Sequence, residues 1–120
     1  MTRINANIPV KELTGKHLLA EHREIKRIPN TITSGKAKLE GIPKVFKLGT
    51  GHVKFFYDKQ KFLFRRYLEL YNECIYRGFK VTNYANAWDG IPSDLWNDYE
   101  FSEQENDIVR ERIKQRLTNS

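Results

Sequence analysis

The strongest helix signal in the chain is DKQKFLFRRYLELYNECIYRG, which runs from Asp58 to Gly78. Asp58 is a suitable helix N-cap, and Gly78 stands where a C′ glycine commonly ends a helix. Between them, apolar residues recur at spacings of four, three and four: Leu63, Tyr67, Leu70 and Cys74. This spacing places them on one side of a helix. The stretch therefore predicts a central helix with one buried face.

A first helix is predicted on the N-terminal side of this central helix. It runs from about Val10 to Arg27 and contains Gly15 as a weak point. We expect it to end before Pro29, because proline disfavours the helical conformation of the residue that precedes it. Residues 30–52 are rich in Gly, Pro, Ser and Thr and are typical of a long irregular connection. Such connections are often functional.

A last helix opens at residues 102–105, Ser-Glu-Gln-Glu, which match a capping box. Behind it, apolar residues recur every four positions at Val109, Ile113 and Leu117. Arg112 and Arg116 form a parallel basic stripe on the same helix. The segment before it is acidic and aromatic, with Trp88 and Trp96. The expected fold is all-α: one compact domain, residues 1–120, with three helices around a single core.

The net charge of +6 is unevenly distributed along the 120 residues. Residues 1–80 carry 17 Lys or Arg and 7 Asp or Glu, whereas residues 81–107 carry 7 acids and no Lys or Arg. This segregation indicates a basic face that meets a polyanion. Nucleic acid is favoured over an anionic membrane, because the basic helices lack a continuous apolar face.

Cysteine content and hydropathy favour a cytoplasmic protein. Cys74 is the only cysteine, so an intramolecular disulfide is excluded. No apolar run approaches the length that spans a bilayer, and the first residues do not match a signal peptide.

Thr2 is a candidate nucleophile. It is small enough that Met1 would normally be removed, which leaves Thr2 with a free α-amine. Such an amine has a pKa of about 7.8, against about 10.4 for lysine, so a useful fraction is uncharged near neutral pH. An uncharged amine can form a Schiff base with an aldehyde-like carbon, and a nearby carboxylate can transfer the protons. Every chain has an N-terminus, however, so this feature needs support from other residues.

The first helix carries an unusually polar face. Residues with spacings of four, three, four and three share it: Leu13, His17, Ala20, Glu24 and Arg27. Arg23 and Arg27 flank Glu24, and their charges favour its ionised form. The alternative is an exposed helix with ordinary Glu–Arg pairs, each worth a few tenths of a kcal/mol.

Other site chemistries find less support. The three histidines, His17, His22 and His52, have no carboxylate or cysteine at a metal-ligand spacing. Residues 49–52, Gly-Thr-Gly-His, lack the GK[ST] signature of a phosphate-binding loop. The three aromatic residues 55–57 could stack on bases, but a core position is favoured. No metal and no cofactor is therefore predicted.

Several segments resemble one known family: residues 1–5, 17–18, 20–21, 23–24 and, most closely, 48–59. The similarity continues at residues 73–74, 77–79, 91–92 and 98–99, then more faintly in the last helix. These segments resemble those of the phage endonuclease V family, whose members are pyrimidine-dimer DNA glycosylases with abasic-site lyase activity. The resemblance implies a three-helix fold with the N-terminus threaded into the active site.

The resemblance also implies residue roles. The Thr2 α-amine would attack C1′ of the damaged nucleotide, and Glu24 would stabilise the cationic sugar and assist proton transfer. Other positions match residues that contact DNA around the lesion: Arg3, His17, Arg23, Arg27, Arg112 and Arg116. The implied partner is double-stranded DNA that contains a damaged or modified base, with no protein partner.

The chain departs from the family in two places. The family's aromatic C-terminal segment has no counterpart up to Ser120, and Pro29 stands later than the family's proline. The leading prediction is a glycosylase that removes a cyclobutane pyrimidine dimer and then nicks the strand by β-elimination. Because of these departures, one alternative is the same chemistry directed at a different modified base. A non-catalytic protein that binds or bends DNA is the other alternative.

Overall fold

The computed structural model describes residues 2–118, with side chains up to residue 116. The predicted loss of Met1 and the side chain of Leu117, the last residue of the predicted apolar spacing, therefore lie outside the described part. Within it lie five α-helical segments, in chain order: α1 (Gly15–Ile25), α2 (Arg27–Thr33), α3 (His52–Phe55), α4 (Gln60–Tyr76) and α5 (Glu103–Thr118). Three short 3₁₀ turns join them: Val10–Glu12, Ala85–Trp88 and Ser93–Leu95.

The all-α expectation is confirmed, because residues 2–118 contain no β-strand. The count of three helices is wrong: four helices have seven or more residues, and α3 is a single turn. The extra helix arises because the single first helix of the prediction is divided into α1 and α2.

The first helix begins later and ends slightly earlier than predicted. It begins at Gly15 because the Thr14 hydroxyl accepts a hydrogen bond from the His17 N–H at 3.3 Å. α1 ends at Ile25, whose carbonyl would need the N–H that Pro29 lacks. α2 then carries Pro29 in its first turn, where backbone N–H groups have no intrahelical partner. α1 thus ends before Pro29 as expected, but the irregular connection predicted from residue 30 begins only after α2, which ends at Thr33.

α4 forms the centre of the core. Its predicted stripe is confirmed, since all four residues have no exposed surface: Leu63, Tyr67, Leu70 and Cys74. The predicted end at Gly78 is also confirmed, because Phe79 N–H bonds to Cys74 C=O at 2.9 Å in a Schellman arrangement. Asp58 as N-cap is wrong. The helix begins at Gln60, and the Asn97 carbonyl accepts from the Phe62 N–H at 3.3 Å.

The N-terminal segment, defined here as residues 2–8, lies within the core. Its alternate apolar residues Ile4, Ala6 and Ile8 are at most 1% exposed. Asn5 donates a 2.7 Å hydrogen bond to Glu21 of α1. Glu21 also pairs with Arg66 of α4, whose guanidinium donates to the Ile8 carbonyl. Polar groups from two helices therefore fix this segment.

α5 packs on the other side of the N-terminal segment. Its capping box is confirmed by two reciprocal bonds between Ser102 and Glu105, at 3.0 and 3.1 Å. Val109 is fully buried. The Asn106 side chain accepts from the backbone N–H of Asn7 at 3.3 Å. α5 thus brings its basic stripe next to the first residues of the chain.

Candidate functional site

A cavity of about 670 Å³ opens between the N-terminal segment, residues 48–57 and α5. We call it the cationic cavity, because four of its lining residues are basic: Arg3, Lys54, Arg112 and Arg116. No Asp or Glu is among the described residues that line it, whereas Thr2 and Tyr57 are. A cavity with this lining favours an anionic group.

Two glycines shape the loop that forms one wall of the cavity. Gly49 and Gly51 have φ values of 69° and 89°, which is the left-handed region. Gly51 is the N-cap of α3, and its carbonyl accepts from the Phe55 N–H at 3.0 Å. A Cβ at Gly51 would lie 3.2 Å from Lys47. The loop therefore needs glycine at this turn, and α3 follows directly from it.

The arginines of the cavity lie close enough to repel one another. Burial, together with the positive charges of Arg3 and Arg116, lowers the pKa of Arg112 to about 10. Burial and Arg116 likewise lower the pKa of Arg3, while Glu24 opposes this shift. An anion such as a phosphate would relieve the repulsion.

Glu24 lies beside this group rather than on the cavity wall. Its side chain is 16% exposed, and its carboxylate is 3.5 Å from the Arg23 guanidinium. Its attraction to Arg3 places it within electrostatic reach of the cavity. Burial lowers the pKa of His17, and Lys16 and then Arg116 lower it further. His17 Nδ1 is buried and has no hydrogen-bond partner among the described residues.

The structure thus brings most of the predicted site residues together. Four line the cavity: Thr2, Arg3, Arg112 and Arg116. Glu24 and His17 interact electrostatically with that group, and Arg23 contacts Glu24. Arg27 is exposed at the start of α2, and no contact joins it to the cavity among the described residues.

Several residues that shape the site were not among the predicted site residues. Lys54, Tyr57 and His52 line the cavity. His52, Glu21 and Arg66 hold the N-terminal segment. The similarity at residues 20–21 and 48–59 was the available signal, but it did not show which partner each side chain has.

The fold and the cavity define a helical protein with a cationic cavity, whose charge favours an anionic ligand. Residues 1–86 match the sequence model of the family described as pyrimidine dimer DNA glycosylase. The match covers more than two thirds of the chain, so the protein belongs to the pyrimidine dimer DNA glycosylase family. The resemblance to the endonuclease V family is thereby confirmed, and the chain is a DNA glycosylase of a family with associated lyase activity.

The family match includes six of the predicted site residues: Thr2, Arg3, His17, Arg23, Glu24 and Arg27. Arg112 and Arg116 lie beyond residue 86, and they join the site through the packing of α5. DNA is the substrate of the family. Among the described residues, no helix is long and apolar enough to cross a bilayer.

Proposed function

We propose that the protein removes a cyclobutane pyrimidine dimer from double-stranded DNA and then nicks the strand. The supporting observation is the position of Thr2, which lines the cationic cavity with only 9% of its surface exposed. After removal of Met1, the α-amine of Thr2 would stand where an anionic DNA strand is attracted. Neighbouring positive charges disfavour a protonated amine, which increases the nucleophilic fraction.

The reaction divides into two chemical stages. The Thr2 amine attacks C1′, the glycosidic bond breaks, and the base leaves with the bonding electron pair. The nitrogen then loses a proton as the sugar ring opens to an imine. The imine acidifies C2′, and removal of that proton expels the 3′ phosphate by β-elimination.

Glu24 is proposed to serve both stages. A carboxylate near C1′ stabilises the positive charge of the sugar and accepts or returns protons. Its carboxylate contacts Arg23 and attracts Arg3. Because Arg3 lines the cavity, it links Glu24 to the strand that the cavity would hold.

The basic residues are proposed to hold the phosphates around the lesion. Arg3, Arg112 and Arg116 face the cavity, whereas Arg23 and Arg27 are exposed on the α1–α2 side. The lowered pKa of His17 keeps its imidazole neutral, so His17 is proposed to accept or donate a hydrogen bond near the sugar.

Borohydride trapping tests the mechanism. The protein, with Thr2 verified as its first residue by mass spectrometry, is incubated with duplexes that contain a pyrimidine dimer or an abasic site. Reduction should give a covalent protein–DNA adduct, and a control protein that retains Met1 should give none. No adduct from the verified Thr2 protein would contradict the Schiff-base mechanism. Adducts with a different modified-base duplex, but not with the dimer, would support the other-base alternative.

A further inference from the structure

We propose that His52 is a positioning residue, which holds the Thr2 nucleophile at the cationic cavity through the backbone of Ile4. This inference rests on the proposed role of Thr2. In this role His52 acts through the protein backbone and neither binds a metal nor contacts DNA.

The His52 ring makes one hydrogen bond from each nitrogen. Nε2 accepts from the Ile4 N–H at 2.9 Å, and Nδ1 lies 2.9 Å from the Lys47 carbonyl. A carbonyl only accepts, so Nδ1 carries the proton and Nε2 keeps its lone pair. His52 therefore joins the N-terminal segment to the loop that forms the cavity wall.

The His52 ring is held in a fixed orientation. It is 4% exposed and packs edge-on against Phe46 and Phe56, with ring centroids 5.6 and 5.4 Å away. Burial lowers the pKa of His52, and the charge of Arg112 lowers it further. The hydrogen bond to the Lys47 carbonyl raises this pKa in part. The neutral tautomer that accepts from Ile4 is thus favoured near pH 7.

The same peptide segment is held from its other side. Arg112 donates to the Ile4 carbonyl at 3.3 Å and to the Asn5 side chain at 3.2 Å. The Ile4 side chain is itself fully buried. Thr2 is two residues away, so its reach from this fixed point is at most about 7 Å. Loss of the His52 bond would widen the range of positions that the amine samples.

Positioning of a nucleophile affects the rate more than the affinity. A displacement of about 1 Å can reduce the rate about 100-fold, because attack needs an aligned approach. DNA affinity depends instead on the basic residues of the cavity, whereas both ring nitrogens of His52 are already engaged with backbone groups. A core residue with no positioning role would change stability and leave the rate of the folded protein intact.

Two polar substitutions separate the two hydrogen bonds of His52. His52→Asn keeps a donor near Nδ1 for Lys47 but is too short to reach Ile4. His52→Gln extends an acceptor toward the Ile4 N–H. Phe56→Leu is the matched control, since it disturbs the same aromatic cluster without a hydrogen bond to Ile4. Each variant is compared with the wild type by kcat and KM on abasic-site DNA, borohydride trapping rate and Tm.

We expect His52→Asn to lower kcat and the trapping rate about 10- to 100-fold with KM changed less than about twofold. His52→Gln should recover most of that loss, and Phe56→Leu should lower Tm but not kcat. Wild-type kcat in His52→Asn would overturn the inference. So would a folded His52→Gln that is as slow as His52→Asn, or a Phe56→Leu protein with an equal loss of kcat. A wild-type protein that forms no adduct would instead contradict the proposed function.

Discussion

Glu21 and Arg66 form an ion pair in the core, and each side chain is only 1% exposed. Two hydrogen bonds join the guanidinium to the carboxylate, at 2.8 and 3.0 Å. Asn5 and the Ile8 carbonyl complete the network. Burial of two charges is unfavourable unless their remaining polar atoms are satisfied, and here the N-terminal segment satisfies them. The pair therefore couples the fold to the placement of residues 2–8.

Replacement of Glu21 should be severe. In Glu21→Gln, Arg66 keeps its buried charge without a counterion, so the free energy of unfolding should fall by about 3–5 kcal/mol. Urea unfolding measures the change. Glu12→Gln is the matched control, because the Glu12–Arg110 pair is about half exposed and should contribute less than about 1 kcal/mol. Equal losses for both variants would contradict the structural role given to Glu21.

Replacement of Glu24 should separate chemistry from binding. Glu24→Gln keeps the size of the side chain but removes the carboxylate, so base removal should slow by about 100- to 10,000-fold. DNA affinity, measured by fluorescence anisotropy on dimer-containing DNA, should stay within about threefold of the wild type. Glu40→Gln in the exposed connection serves as the control. A fully active Glu24→Gln protein would remove Glu24 from the mechanism.

The helix ends show which structural signals the sequence contains. Gly78 and the Ser102–Glu105 capping box are local signals, and both predictions are confirmed. The start of α4 was missed because its partner is Asn97, far along the chain. The division of α1 from α2 is local in origin, since the missing N–H of Pro29 causes it, but the single helix predicted over Val10–Arg27 did not include it.

In the candidate site, too, contacts between distant segments were harder to predict than local patterns. Thr2, Arg3 and Arg116 were predicted from the family resemblance, and the structure places them around one cavity. The role of His52 was not predictable, because its partner Ile4 is 48 residues away. Spacing within one helix reveals which residues share a face, but contacts between distant segments depend on tertiary packing.

Gly78 offers a test at the level of one helix. Its φ is 83°, and a Cβ there would meet no atom within 4 Å. Gly78→Ala should therefore cost only the backbone penalty of the left-handed conformation, about 1–2 kcal/mol. Gly78→Asn should recover part of it, because Asn tolerates this conformation better. Thermal unfolding measures both, with exposed Asn72→Ala of α4 as control. No loss in Gly78→Ala would contradict the Schellman ending.

Across the whole molecule, charge is separated between a basic site and an acidic segment. With about five phosphate contacts, log K for DNA binding should fall with log salt at a slope of roughly −4 to −5. Arg116→Gln should reduce the slope by about 1, because Arg116 lines the cationic cavity. Arg110→Gln is the control on the same helix, since Arg110 pairs with Glu12. An unchanged slope in Arg116→Gln would exclude that phosphate contact.

Stability should also depend on pH through the three histidines, His17, His22 and His52. Burial is the main cause that lowers the pKa of each, and nearby Lys or Arg charges add to it. As pH falls below about 6.5, the unfolded chain binds protons that the folded protein excludes. The free energy of unfolding is thus greatest above that pH and should decrease toward pH 5.5.

Urea unfolding at pH 7.5 and 5.5 measures this dependence, in a range above the usual titration of Asp and Glu. His22→Phe should weaken it. His22 packs among aromatic rings, 5.4 Å from Tyr67 and 5.2 Å from Tyr84, and its Nε2 has no hydrogen-bond partner among the described residues. Phenylalanine keeps this packing and removes one titrating group. A wild-type protein equally stable at both pH values would show that the folded histidines titrate as they do in the unfolded chain.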